Sequence, residues 1–335
     1  MKTDWERSSP VIIPDRQTII KMLKPYIRDR QISKVEQIGG GLSNSNVKIS
    51  LSSGEDVVLR IYNSGGIKGH IEKAILQHVK NIIPVPRVLY HDFSLSHLEY
   101  PFLLLSWVNG YQLSDLFMTE NKASLSYAGH EVGRYLAKIH DIRFSSPGFF
   151  NENLTLQEFD LSGSDSFLNI LDDIIKDGPA VDNLGAEMVS NIRQFAMEQA
   201  HILNSIGKQN CLVHSDFNPL NILVEKFGSS IQVTGILDWE FSFSNSPLID
   251  IGNMLRYEEI TESSFIRPFI LSYVNHGGEL PRKWLQIAKL LDVIALCDLA
   301  DQEGCDEARV LDLQSLLRKT INEWDLYDEV QKNIY

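Results

Sequence analysis

The sequence is poor in the features that mark secreted, membrane-spanning and nucleic-acid-binding chains. Its 335 residues include three cysteines, Cys211, Cys297 and Cys305, and none of them forms a CxxC pair. An odd and sparse set argues against a disulfide framework and suits a reducing compartment. No apolar run approaches the roughly 18–20 residues needed to cross a bilayer. The opening MKTDWERSSP lacks the apolar core of a signal peptide. Together these readings predict a cytoplasmic protein with no membrane partner. Internal repeats, low-complexity tracts and long Pro/Ser linkers are also missing. Basic residues are outnumbered, 31 Lys and Arg against 44 Asp and Glu, for a formal net charge of −13. Such a chain is repelled by nucleic acid phosphates, so nucleic acid is not an expected partner. The same field could favour a cationic small molecule, although solubility is the plainer account of it. There is no GxSxG elbow, which argues against a Ser-His-Asp hydrolase.

The length fits two lobes better than one ordinary domain. Hydrophobic residues make up 43% and charged residues 22%, enough for a sizeable core. Residues 16–27 carry Ile19, Ile20, Leu23 and Ile27 at helical spacing, with Pro25 casting doubt on the last turn. VEQIGG, NVKISLSS and EDVVLRIYN then read as short strands separated by turn-forming residues. HIEKAILQHVKN reads as a helix, and VPRVLYHDFS and YPFLLLSW as two more strands. Beyond Gly110 the pattern is mainly helical. The exceptions are two β-rich runs, CLVHSDFNPLNILVE and SIQVTGILDWEFS, which carry acids at their strand ends. The expected fold is α+β: a β-rich lobe over residues 1–105, a connector at 106–110 and a mainly helical lobe over 111–335.

The chemistry is concentrated in those two runs. His214-Ser215-Asp216-Phe217-Asn218-Pro219-Leu220-Asn221 lies between the apolar segments 211–213 and 222–224. Asn221 follows Asp216 by five residues. Asp238 follows Asn221 by 17, a distance at which a β-hairpin returns it to Asn221. Phosphoryl transfer needs in-line positioning and neutralisation of phosphate charge more than covalent protein chemistry. In kinases a loop Asp accepts the proton of the attacking hydroxyl, and an Asn five residues on and a second Asp hold Mg²⁺. Asp216 is therefore the candidate base, and Asn221 and Asp238 are the candidate Mg²⁺ ligands, hard oxygen donors of the kind that ion takes.

HSDFNPLNILV followed by ILDWEFS resembles the aminoglycoside phosphotransferase family of small-molecule kinases. Choline and homoserine kinases are among its members. The resemblance covers roughly residues 35–260 and is most specific at 211–241. It implies a bilobal protein-kinase-like fold and a nucleotide donor, ATP or GTP, bound between the lobes. It further implies that Gly40, Gly41, Ser43, Asn44 and Ser45 belong to the loop that covers the phosphates. Arg60 stands where a strand lysine would touch the α- and β-phosphates, a departure that keeps charge and adds a bidentate fork. Glu72 would pair with it. The backbone from Ser106 to Val108 would meet the adenine ring. Asp250 and His214 would support the catalytic loop without taking part in chemistry, and His140 would be structural.

The same resemblance puts the hydroxyl-bearing acceptor against the C-terminal helices. Their acids, Asp292, Asp298, Asp301, Glu303, Asp306 and Glu307, could bind ammonium groups or simply be solvated. Trp284 and Trp324 could cage a choline-like cation or pack in the core. The expected function is transfer of a γ-phosphate to an aminoglycoside-like or other small acceptor. A choline- or homoserine-type metabolite kinase is one alternative, and a nucleotide-binding pseudokinase acting as a regulator is the other.

Overall fold

Asp15 starts the first helix. Its carboxylate accepts from the N–H groups of Gln17 (2.8 Å) and Thr18 (3.0 Å), two of the donors that a helix start leaves unpaired. Helix α1 runs Arg16–Ile27, through Pro25 and not merely up to it. The proline removes a single bond in the final turn, while Met22, Leu23 and Ile27 hold that turn against the sheet below. The computed structural model describes residues 5–334 apart from 8, 40, 64, 119–121, 229 and 262.

Strands β1 (Ile32–Ile38), β2 (Ser45–Leu51) and β3 (Asp56–Ile61) form a meander. Helix α2 (Gly66–Val79) follows, and β4 (Val88–Asp92) and β5 (Phe102–Ser106) complete an antiparallel sheet ordered β1-β2-β3-β5-β4. Along β5 the side chains alternate. Phe102 and Leu104 join Val47, Ile49, Val57 and Leu59 beneath Ile19, Met22 and Leu23 of α1. Leu103 and Leu105 instead join Ile75 and Val79 of α2 in the main core. This period of two lets one sheet serve two apolar layers.

The second part is mainly helical. It holds β6 (Tyr111–Gln112), α3 (Leu113–Met118), α4 (Lys122–His140), β7 (Gly148–Phe150), β8 (Leu156–Glu158), α5 (Ser164–Ile175), α6 (Pro179–Leu184) and α7 (Ala186–Gln199). A 3-10 segment, Ala200–Ser205, leads to β9 (Cys211–Val213), β10 (Ile222–Phe227), β11 (Ser230–Ile236) and β12 (Phe243–Asn245). Helices α8 (Leu248–Met254), α9 (Ile266–Asn275), α10 (Trp284–Ala300), α11 (Glu307–Asn322) and α12 (Trp324–Asn333) complete the chain. Two small sheets, β11-β10-β6 and β8-β7-β12-β9, frame the loops between β9 and α8. The sequence reading places no strand at β6, β7 or β8. Each is two or three residues long; β6 and β7 pair with the distant β10 and β12, and β8 pairs with β7.

Helices α4 and α9 pack through glycine. A Cβ on Gly133 would sit 2.2 Å from the Phe269 carbonyl oxygen, and one on Gly129 would sit 2.5 Å from that of Phe265. Backbone approach this close leaves no space for a side chain. It also brings the end of α4 within reach of Tyr273 on α9.

Helix α10 runs through the core and buries two charged residues. Lys289 donates to the Leu255 carbonyl at 2.6 Å, and burial pulls its ammonium down to about 8 despite Asp292 nearby. Below that pH both folded and unfolded chains carry the proton, so folding bears the full cost of burying the charge. Between about 8 and the unfolded value near 10.4 the folded state binds fewer protons, and stability from this group rises with pH. Lys289→Met is expected to remove that rise, on the order of 1–3 kcal/mol. Denaturant titrations at pH 7.5 and 9.5 read it. An equal rise in the variant would show that Lys289 is not its source.

Candidate active site

The loop 214–221 is held at both ends by strands and from behind by one carboxylate. Asp250, in α8, is fully buried. Its Oδ2 accepts from the His214 N–H and its Oδ1 from the Ser215 N–H, both at 2.8 Å. His140, from the end of α4, contacts the same Oδ2 through Nε2 at 3.1 Å and the Tyr273 hydroxyl through Nδ1 at 2.9 Å. His140 thus links α4, α9 and the loop. His214 bonds in two directions. Its Nε2 donates to the Leu237 carbonyl (2.8 Å) and its Nδ1 accepts from the Asp216 N–H (3.2 Å), which assigns the Nε2–H tautomer. The ring packs 4.4 Å from the indole of Trp239, centre to centre.

These bonds deliver Asp216 into a cavity of about 440 Å³. Its Oδ1 accepts from Asn218 Nδ2 and its Oδ2 from Asn221 Nδ2, each at 2.8 Å. The second bond uses the amide nitrogen of Asn221 and leaves its Oδ1 for another partner. The β10–β11 hairpin pairs Ile222 with Ile236, and Leu237 N–H donates to the Asn221 carbonyl at 2.8 Å. Asp238 comes one residue later and lines the same cavity. Ser215 (φ 72°) and Asp238 (φ 69°) both occupy the left-handed region, which ordinary L-residues avoid. Such conformations persist when the surroundings over-determine them, and they cluster at functional sites.

Arg60, on β3, is buried among three carboxylates. Its Nε lies 2.8 Å from Glu72 of α2, and its Nη2 contacts Asp238 and lies 3.5 Å from Glu240. One guanidinium against three acids leaves two negative charges uncompensated. Burial, with Asp238 close by, pushes the Glu240 carboxyl up to about 7. Burial also raises Glu72, against the pull of Arg60. Excess buried negative charge is costly and is relieved by a cation. The oxygen donors Asp238 Oδ and Asn221 Oδ1 fit Mg²⁺, which takes one or two protein carboxylates and completes its shell with water and phosphate. Among the described residues no three His, Cys, Asp or Glu side chains form a metal cage.

Of the predicted glycine-rich loop, Gly41, Ser43 and Asn44 line the cavity, and Asn44 is buried. Gly40 lies outside the described residues. Ser45 is turned away from the cavity and accepts from the Ile12 N–H at 2.8 Å. Ser106 and Val108 are not part of the cavity wall. The Ser106 N–H is already bonded to the Arg87 carbonyl (2.9 Å), and Val108 packs on Gly235.

The far wall comes from α8, α10, α11 and the turns after the first two, with Asn253, Arg256, Asp298, Gln302 and Arg309. Asp298 alone of the six acids named above faces it. Asp292 pairs with Arg256 (2.7 Å), Asp301 accepts from the Ala180 N–H (3.2 Å), and Asp306 caps α11 through the Arg309 N–H (2.9 Å). Trp284 and Trp324 are core residues, the latter bonded to Gln199. Sequence reasoning passed over Asn218, Glu240 and Arg256. Asn218 and Glu240 each stand two residues from a recognised acid, which was the available signal; Arg256 had none. Among the described residues no helix is long and apolar enough to cross a membrane.

The profile described as Phosphotransferase enzyme family matches residues 34–285. Among solved structures, aminoglycoside phosphotransferase APH(2″)-IIIa with GDP and kanamycin aligns over 96% of this chain and 100% of its own, at 16% identity and a TM-score of 0.65. The gentamicin complex of APH(2″)-IIa aligns over 92% of this chain and 97% of its own, at 17% identity and a TM-score of 0.62. A thermostable APH(4)-Ia with AMP-PNP and hygromycin B aligns over 95% and 97%, at 16% identity and a TM-score of 0.56. Likeness at these identities speaks for the bilobal kinase-like fold. No curated protein matches the chain. With three quarters of its length inside the profile, the chain belongs to the phosphotransferase enzyme family, as a small-molecule kinase that acts on a hydroxyl group.

Proposed function

We propose that the chain moves the γ-phosphate of ATP or GTP onto a hydroxyl of a small polar acceptor, with Asp216 as base. The observation that carries this reading is the shared cavity. Asp216, Asn221, Asp238 and Arg60 line one space of about 440 Å³, and the loop at Gly41–Asn44 closes one side of it. The nucleotide then lies between a lobe of residues 1–105 and a lobe of residues 111–335, with 106–110 as connector. Arg60, steadied by Glu72, meets the α- and β-phosphates. Asp238 and Asn221 Oδ1 would hold Mg²⁺, which neutralises charge on the phosphates when bound.

Asp216 takes the acceptor proton as the oxygen bonds to the γ-phosphorus. The bond from that phosphorus to the β–γ bridging oxygen breaks, and the nucleoside diphosphate leaves with those electrons. The two amides on Asp216 fix the orientation of its carboxylate, an advantage of positioning more than of basicity. His214 and Asp250 act on the loop backbone and not on substrate.

The far wall favours one class of acceptor. It offers the carboxylate of Asp298 beside the guanidiniums of Arg256 and Arg309 and the amides of Asn253 and Gln302. A polyhydroxylated molecule with few ammonium groups suits that mixture better than a polycation. The test is phosphate transfer from labelled ATP and GTP with Mg²⁺ to a panel of aminoglycosides, macrolides, choline, homoserine and sugars. A labelled product from one class supports the reading and identifies the acceptor. Nucleotide binding without any product, even at high enzyme concentration, favours the regulator. Absence of nucleotide binding overturns the reading.

A further inference from the structure

Trp5 and Arg7 line the cavity and have no part in the reading above. Trp5 is buried, and its indole N–H donates to Asp312 Oδ2 at 3.1 Å. The guanidinium of Arg309 lies 4.9 Å from the centre of its ring. The Glu6 N–H donates to Asp306 Oδ2 at 2.9 Å. All three partners belong to α11 or its cap. One residue further the chain is attached to the opposite side of the cleft. Arg7 Nη2 donates to the Asn44 carbonyl at 2.8 Å, and its Nη1 donates to the Gly41 carbonyl. The attachment continues along the β-rich lobe, where Ile12 N–H bonds Ser45 and Asn63 bonds the Pro10 carbonyl. Trp5 and Arg7 line the same cavity as Asp216 and Asp238.

The loop that Arg7 grips needs a support of this kind. The turn at 41–44 belongs to no helix or strand, and at Gly41 the backbone has more conformations of similar energy than at any other residue type. Carbonyl oxygens near a phosphate site also repel phosphate. A planar guanidinium can hold two carbonyls at once, cancel their partial charge and add a full positive one. We propose that Arg7 is a positioning residue for the 41–44 loop, anchored on α11 by Trp5, so that residues 5–7 form a strap holding the loop over the donor phosphates. This rests on the phosphoryl-transfer reading. It assigns a task to residues that the sequence places outside the resemblance.

The test is a double-mutant cycle on nucleotide affinity, read by calorimetry with ATP·Mg²⁺ and GTP·Mg²⁺ on the full chain. Arg7→Ala is expected to weaken binding about tenfold, the scale of one charge-assisted hydrogen bond. Trp5→Phe keeps the packing, loses the bond to Asp312 and is expected to weaken binding about threefold. If the strap is one device, the double variant binds no more weakly than Arg7→Ala alone, since the anchor has nothing left to transmit. Arg7→Lys keeps the charge and is expected to recover part of the loss. Melting temperatures without nucleotide are expected to stay close to wild type, so general destabilisation would not mimic the result. Wild-type binding with Arg7→Ala within twofold of it would overturn the positioning role. Penalties that simply add would overturn the anchoring by Trp5. A wild-type chain that binds neither nucleotide would overturn the phosphoryl-transfer reading, and the proposal with it.

Discussion

Asp216→Asn is expected to reduce phosphate transfer by about a thousandfold or more, within the range for losing a positioned general base. Nucleotide affinity should change by less than about threefold, since the residue faces the acceptor and not the donor. The geometry makes the substitution severe. Both oxygens of Asp216 accept from amide nitrogens, one from Asn218 and one from Asn221. An asparagine there has no base to offer and turns an NH₂ group against one of those donors. Single-turnover transfer of labelled phosphate separates the chemical step from product release. Retention of transfer within tenfold of wild type would remove Asp216 from the role of base.

Asp250→Ala is expected to be the most damaging substitution for stability, at about 3–5 kcal/mol, the scale for removing one partner from a buried charged cluster. The loss would strand two backbone N–H groups, those of His214 and Ser215, together with the contact from His140. Asp250→Asn, which keeps an acceptor for one of them, should cost less. Guanidinium denaturation of the three proteins gives the order directly. Transfer by any folded fraction of the alanine variant should also be low, because Ser215 holds its unfavourable φ only while its N–H is tied down. A loss below about 1 kcal/mol would mean that the loop is braced by something else.

Much of this site was legible in the sequence because its decisive relations are local. The spacing from Asp216 to Asn221 lies inside one loop. The distance from Asn221 to Asp238 is set by a hairpin that joins neighbouring segments of the chain. Alternation and turn residues also gave the meander of β1, β2 and β3. What escaped depends on partners far along the chain. Strands β7 and β12 have three residues each, too few to display a period, and exist because Phe243 pairs with Phe149. The pairing of Arg256 with Asp292 joins the turn after α8 to α10 and has no local signature. Of the acids that could bind ammonium groups or simply be solvated, Asp292, Asp301 and Asp306 are a buried partner and two caps and Asp298 faces the cavity, since a carboxylate's use depends on what the fold sets beside it. Trp5 and Arg7 lay outside every recognisable pattern.

The strap also has a place in the order of folding. Its contacts join residues some 300 positions apart, so closing them encloses nearly the whole chain. The entropy of closing a loop is repaid only after the ends have something to bind. The hairpin at 222–236 can form early and alone; the strap has no docking surface until α11 and the 41–44 loop are both in place. The cleft therefore receives its cover last. Because residues 5–7 belong to no helix or strand, releasing their side-chain contacts to α11 and the 41–44 loop breaks no helix or sheet ladder.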